Sequence, residues 1–402
     1  MREVANAVEV RTPPVSPDRK PVWRALRWAG PALVAFAAIR VLGLLVLEAV
    51  ARATGQHAHF RLTWWDGQWY EGIARSGYGL VRVHPDGRLL SDYAFFPLYP
   101  WLERGVAAVS DLAFVDAGLL VSAVSSLLAA WGIFAIGDHL SGRRVGVLLT
   151  VLWAALPMGI VESMAYSESL FTAAAAWALY AVVTERWILA GALASLAGLT
   201  RPTGVAVAAA VIFPAVLAVV TRSPPIDDSA LAVRAQRSHK RRQLVGAALA
   251  PLGCFGYVAW VGWRTGSATG YFDVTDRWGN GFDAGFAFAG WTWELIRSPD
   301  FVLGVLVCLG VAVLIGLLAW CVRQRQPLPL VVYSSVVVVM ALTTTGYFGS
   351  KLRYLLPAFP LLLPLAGWLA RQRSLVAVSI VALAATASAA YGAIWLLGPG
   401  PP

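Results

Sequence analysis

Residues 301–322, FVLGVLVCLGVAVLIGLLAWCV, run for 22 positions without a charged side chain. At ~1.5 Å of rise per residue, about twenty apolar residues cross the ~30 Å hydrocarbon layer of a bilayer. Lipid offers no hydrogen bonds to a backbone, so this stretch reads as a transmembrane helix that satisfies its own peptide groups. Similar blocks, bounded by charge or turn residues, lie at 28–50, 116–137, 145–163, 168–184, 187–200, 203–221, 244–263, 328–346, 354–370 and 374–397, eleven spans in all. Only Arg201 and Pro202 separate 187–200 from 203–221, so that region reads as two spans or as a broken hairpin. The expected fold class is all-α, a polytopic integral membrane protein with about 11 transmembrane helices.

Composition agrees. Of 402 residues 58% are hydrophobic and 13% charged, which excludes a disordered, disulfide-knotted or ordinary water-soluble chain. Cys254, Cys308 and Cys321 all fall in apolar blocks and read as structural thiols. The net charge of +10 follows from the positive-inside rule and calls for no nucleic acid. With the N-terminus cytoplasmic, the cytoplasmic segments hold 19 Lys and Arg against 12 on the outer side. Fourteen of the 22 acidic residues fall on the outer side, which suggests solvation or chemistry there.

The chain divides into a disordered basic cytoplasmic tail (1–27), one transmembrane domain (28–397) and a C-terminal tail (398–402). Within the domain, 51–115 is a long outer loop, 222–243 a basic cytoplasmic loop with Lys240, Arg241 and Arg242 beside anionic lipid, and 264–299 a second outer loop.

The 51–115 loop is too long for a connector and is dense in aromatics. As a helix, 64–76 puts Trp65, Trp69 and Ile73 on one face and Asp66 with Tyr70 beside it, so the helix is expected in the membrane interface with its indoles at headgroup depth. Asp66, flanked by aromatics, suits either a general base with raised proton affinity or a helix-capping or ion-paired aspartate. Asp92, ahead of AFFPLYPWL, is a turn residue or a substrate contact. In VESMAYSESLF, a helix would make Glu162 and Tyr166 i,i+4 partners, while Ser167 and Glu168 line a wet cavity or cap the next span. Arg201, Lys351 and Arg353 are outer cations that orientation does not explain; an anionic headgroup does, with snorkelling as the plainer reading. Arg40 with Glu48 in the first span is a buried pair or a lipid contact, and His57, His59 and His84 form no metal-ligating set.

WDGQWYEGIARSGYG, AFFPLYP, YSESLF, RPTG and KLRYLLPAFP, in this order between about residues 64 and 363, resemble the bacterial PIG-V-type mannosyltransferases of the GT-C class. The resemblance implies a GT-C-like fold with interfacial helices in a large first extracytoplasmic loop, in a multi-pass bacterial plasma membrane protein. It also implies a catalytic aspartate and a polyprenyl-phosphate sugar donor, typically mannose. Carried over residue by residue, Asp66 is the general base and Trp65 its motif partner. Tyr166, Ser167 and Glu168 shape the donor or acceptor pocket, and Arg201, Lys351 and Arg353 sit near the donor phosphate. Trp69, Tyr70, Asp92 and Glu162 complete the expected substrate-binding set. The chain departs from the eukaryotic members, which have Ala-Val-His-Phe where Gly67, Gln68, Trp69 and Tyr70 stand here, so their acceptor does not carry over.

The expected activity is inverting transfer of a sugar, mannose by the resemblance, to a hydroxyl of a lipid-linked or envelope glycan acceptor at the outer face. Glycosidases use two carboxylates because the leaving oxygen must be protonated. A phosphate leaves as a stable anion, so one base and several cations suffice. The expected partners are the donor, the acceptor and membrane lipids; no cofactor is called for, the lipid-phosphate sugar being a substrate, and no metal site is read. The competing class is a transporter or flippase of lipid-linked sugars, which predicts mid-span charge and repeated halves, whereas spans two to eleven are almost free of mid-span charge and eleven does not divide into two equal halves.

Overall fold

A computed structural model describes residues 22–221 and 230–401. In chain order the elements are α1 (Val22–Ala53), α2 (Ala58–Thr63), α3 (Asp66–Ser76), β1 (Val81–Val83), β2 (Leu89–Ser91), α4 (Leu98–Val109), α5 (Phe114–Ser141), α6 (Arg143–Ala154) and α7 (Glu168–Val183). Then follow α8 (Trp187–Gly198), α9 (Gly204–Val220), α10 (Ala230–Leu249), α11 (Leu252–Thr265), α12 (Gly270–Arg277), α13 (Phe286–Arg297), α14 (Phe301–Arg323), α15 (Leu328–Thr343), α16 (Lys351–Leu355), α17 (Leu363–Leu369) and α18 (Ser374–Leu397). The only sheet among the described residues is the antiparallel hairpin β1–β2 in the long loop, with Arg82 opposite Leu90.

Among the described residues five helices are long and apolar enough to cross a membrane: α1, α5, α14, α18 and the stretch Gln236–Thr265 that runs through α10 and α11. Phe348–Leu355 and Phe359–Leu369 pass the same test only as a pair and meet at a bend of 72°, the geometry of a broken span or a re-entrant loop. The other expected spans are shorter. α7, α8, α9 and α15 are apolar helices of 12 to 17 residues. The block expected as one span over 145–163 ends as a helix at Ala154, and Pro157 follows with no amide to donate. From there to α7 the chain is irregular apart from a 3₁₀ turn at Gly159–Ser163, and most of it is buried in protein.

The loop expected over 222–243 is helical from Ala230, because Ala, Leu, Arg, Gln and Lys dominate that stretch. Residues 222–229, and residues 1–21 of the expected tail, lie outside the described residues. Residues 398–401 follow the end of α18 without regular structure.

α5 sits at the centre, packed on α1, α4, α6 and α7, and α18 closes against α1. The core is built from Phe36 stacked on Trp153, ring centroids 5.4 Å apart, and from alanines that let helices approach. The indole of Trp153 donates to the Leu356 carbonyl at 3.0 Å, tying α6 to the bend that follows α16. α8 and α10 come so close that a Cβ on Gly191 would lie 2.2 Å from the Gly246 carbonyl oxygen. Gly191→Leu is therefore expected to separate these helices and lower the thermal midpoint by several degrees, read by scanning the detergent-solubilised protein.

Candidate active site

Asp66 is the first residue of α3 and follows Trp65, whose φ of 59° is unusual for a bulky side chain. Amides of Gly67 and Gln68 bond back to the carbonyls of Trp64 and Trp65 at 3.3 and 3.1 Å, which carries the chain into the first turn. The N-terminal end of a helix favours an anion, so the carboxylate stands where the peptide dipoles support it. Its backbone N–H donates to the Tyr166 hydroxyl at 3.3 Å.

The charged partners come from distant segments. Arg353 of α16 donates to Asp66 Oδ2 at 2.8 Å and lies 3.4 Å from Glu168 Oε1. Arg201, between α8 and α9, is ion-paired with the same Glu168 oxygen and reaches Ser167 Oγ at 3.4 Å. Ser167 Oγ in turn shares a hydrogen bond of 2.8 Å with the Tyr70 hydroxyl, whose phenol burial pushes above its ordinary value. Glu168 is thus held between two guanidiniums, and the cluster sets two carboxyl groups against two arginines. Asp66 is the most open of the four, with a quarter of its side chain exposed against 2% for Glu168.

Asp66, Tyr70, Arg201, Arg353 and Tyr354 line a cleft of about 340 Å³. Thr200, Asn280, Thr344 and Thr345 add neutral polar groups, Phe272, Trp278 and Phe282 form an aromatic wall from 264–299, and Val337, Met340 and Ala341 of α15 form an apolar one. Among the described residues Asp66 is the one carboxylate on the cleft wall, and no three His, Cys, Asp or Glu side chains converge as metal ligands.

The remaining expected residues lie behind the cleft or apart from it. Where the sequence suggests an interfacial indole, Trp69 is turned into protein, stacked on Phe95 at 5.6 Å and edge-on to Trp278 at 5.0 Å, because the rest of the loop covers it. Trp65 packs against the cluster that includes Leu47, Met164 and Leu356, apart from the one that holds Trp69 and Ile73, with which the sequence expects it to share a helix face. Asp92 accepts from the amides of Gly79 and Leu80, both at 2.9 Å, and closes the loop before β1; burial raises its pKa against the lowering by those amides. Glu162 and Tyr166 do not share a helix: the first lies in the 3₁₀ turn facing Arg40, the second reaches Asp66. The Lys351 ammonium donates to the Thr344 carbonyl and sits over the rings of Phe288 and Phe348, behind the cleft wall. Arg40 does not meet Glu48, which pairs with Arg52 at 2.6 Å.

Sequence reasoning passed over the threonines, Asn280 and Trp278, whose signal is the alternation of aromatic and small polar residues over 271–282 and 343–347. It also passed over Glu103 on α4. That carboxyl is 1% exposed with no hydrogen-bond partner on either oxygen, and burial, with Glu71 adding to it, pushes its pKa up to about 9. A pKa above the unfolded value favours the fold fully below about pH 4.5, and that contribution is lost as pH rises toward 9. Glu103→Gln is accordingly expected to raise the thermal midpoint at pH 8.5 and to change it little at pH 4.5, measured by thermal scans at both.

Residues 86–232, a little more than a third of the chain, match the family described as Dolichyl-phosphate-mannose-protein mannosyltransferase. No curated protein matches the sequence. Among solved structures, ArnT from Cupriavidus metallidurans bound to undecaprenyl phosphate is similar at a TM-score of 0.50 and 15% identity, over 87% of this chain and 63% of that one. Its apo form gives 0.49 and 16%, over 78% and 55%. The apo oligosaccharyltransferase of Archaeoglobus fulgidus gives 0.45 and 14%, over 90% and 56%. The chain therefore spans 55% to 63% of the length of these proteins. Its polytopic, mostly helical architecture is GT-C-like, the fold it shares with ArnT.

Proposed function

We propose that the chain is an inverting glycosyltransferase of the bacterial plasma membrane. It moves a sugar, mannose as the first candidate, from a polyprenyl-phosphate donor to a hydroxyl of a lipid-linked or cell-envelope acceptor at the outer face. The observation that carries this reading is that Asp66, the one carboxylate lining the cleft among the described residues, is paired with Arg353, while Arg201 and the apolar side chains of α15 line the same cleft. The described mannosyltransferase family over 86–232 and the fold shared with a protein that binds undecaprenyl phosphate support it.

Asp66 takes the proton from the acceptor hydroxyl as that oxygen attacks the anomeric carbon. The bond to phosphate breaks, the pair of electrons leaves on the phosphate oxygen, and the arginines stabilise that charge. Both arginines are neutralised before donor arrives. An entering phosphate then replaces Asp66 as the partner of Arg353, so donor binding and release of the base are one event. Glu168 keeps both guanidiniums in place meanwhile, and the apolar face of α15 accepts the start of the lipid chain.

The test offers purified protein in lipid the polyprenyl phosphates of mannose, glucose and arabinose with membrane acceptors, and determines the anomeric configuration of the product. Mannose transfer with inversion is expected. Retained configuration would remove the single-base mechanism, and preference for another sugar would replace mannose.

A further inference from the structure

Arg40 lies inside the apolar stretch of α1, where a charge is costly, and takes no part in the cleft. Its guanidinium donates to the carbonyl oxygens of Ala154, the last residue of α6, and Gly159, the first of the 3₁₀ turn. The same group lies 3.7 Å from a carboxylate oxygen of Glu162, which is 1% exposed. The fit is close: a Cβ on Gly159 would come within 2.7 Å of the guanidinium.

These carbonyls need a donor because the helix has stopped. Past the end of α6 the amides of Ala155 and Leu156 meet the carbonyls of Val151 and Trp153 at 3.0 and 3.2 Å, and the guanidinium of Arg40 meets that of Ala154. Arginine can serve two carbonyls and a carboxylate at once through its planar fork of donors, and its charge complements the C-terminal end of α6. Beyond Glu162 the segment is pinned again: Ser169 Oγ donates to the Glu162 carbonyl at 3.0 Å, and the Ala165 amide to Leu62 at 2.9 Å. It then delivers Tyr166 to the Asp66 amide, Ser167 to Tyr70 and Glu168 to both arginines.

We propose that Arg40 is a positioning residue for the cleft: from within α1 it anchors the irregular segment 154–168, and so sets where Glu168 holds Arg201 and Arg353. Its effect on donor affinity rests on the reading of the cleft as a phosphate-binding site. The segment's anchoring does not.

Two variants separate the possibilities. Arg40→Met with Glu162→Gln removes both buried charges, so neither is left alone. Arg40→Lys keeps the charge and loses the fork. In both, hydrogen exchange of the amides in 159–168 is expected to quicken at least about tenfold while α5 stays protected, and affinity for undecaprenyl phosphate to fall about tenfold, or ~1.4 kcal/mol. Should the double variant fail to fold, Arg40→Lys carries both readouts. Wild-type exchange and affinity in Arg40→Lys would reduce Arg40 to a counter-charge for Glu162 and overturn the proposal. So would faster exchange with unchanged affinity. If the wild-type protein does not bind undecaprenyl phosphate, the donor reading fails, and exchange alone decides the anchor: faster exchange upholds it and unchanged exchange overturns it.

Discussion

Asp66→Asn is expected to lower sugar transfer by about 10²- to 10⁴-fold while leaving the protein folded and the donor bound. Asparagine has nearly the same shape, its amide oxygen can still accept from Arg353, and the backbone N–H to Tyr166 is untouched. What it cannot do is take a proton. Loss of the Asp66 charge also leaves Arg353 less occupied, so undecaprenyl phosphate should bind the variant at least as tightly as wild type. A merely structural aspartate predicts the opposite pattern, with stability reduced and the rate per folded molecule unchanged. Single-turnover transfer and equilibrium binding on the same preparation distinguish the two.

Arg353→Met is the second large effect, and it acts on the fold and the chemistry together. Arg353 is 6% exposed and faces both Asp66 and Glu168. Removing one member of a buried charge cluster leaves the others uncompensated and typically costs about 3–5 kcal/mol. Glu168 keeps Arg201, so the protein is expected to fold with a much lower thermal midpoint. Donor affinity should fall as well, because the phosphate loses the cation that Asp66 surrenders to it. Arg353→Lys restores the charge without the bidentate reach and should recover stability better than transfer. Thermal scans beside undecaprenyl phosphate binding check both.

The spans were legible wherever a long apolar run meets no break, as at 301–322, where α14 covers Phe301–Arg323. The 145–163 block misled because hydropathy measures how apolar a stretch is, while Pro157 and Gly159 decide whether it stays helical. Trp69 shows a second limit. An indole suited to the membrane interface is equally suited to a protein interior, and its partners Phe95 and Trp278 lie far along the chain.

The residues of the candidate cleft were partly legible as types. Asp66, Tyr70, Arg201 and Arg353 were all named, and all line one cleft. Their pairing was not, since Asp66 and Arg353 stand 287 residues apart and a lone arginine near the outer surface reads the same whether it waits for phosphate or holds a carboxylate. Arg40 is the extreme case. Its charge is conspicuous in an apolar helix, but its main partners are backbone carbonyls, which every residue carries and no sequence pattern marks.

One measurement separates transfer from transport: purified wild-type protein in vesicles, given polyprenyl-phosphate mannose labelled in both the sugar and the lipid, with membrane acceptors outside. The mechanism predicts sugar label on the acceptor and an equal amount of free polyprenyl phosphate. Donor that crosses the bilayer with both labels still joined would contradict it and make the protein a carrier of lipid-linked sugars.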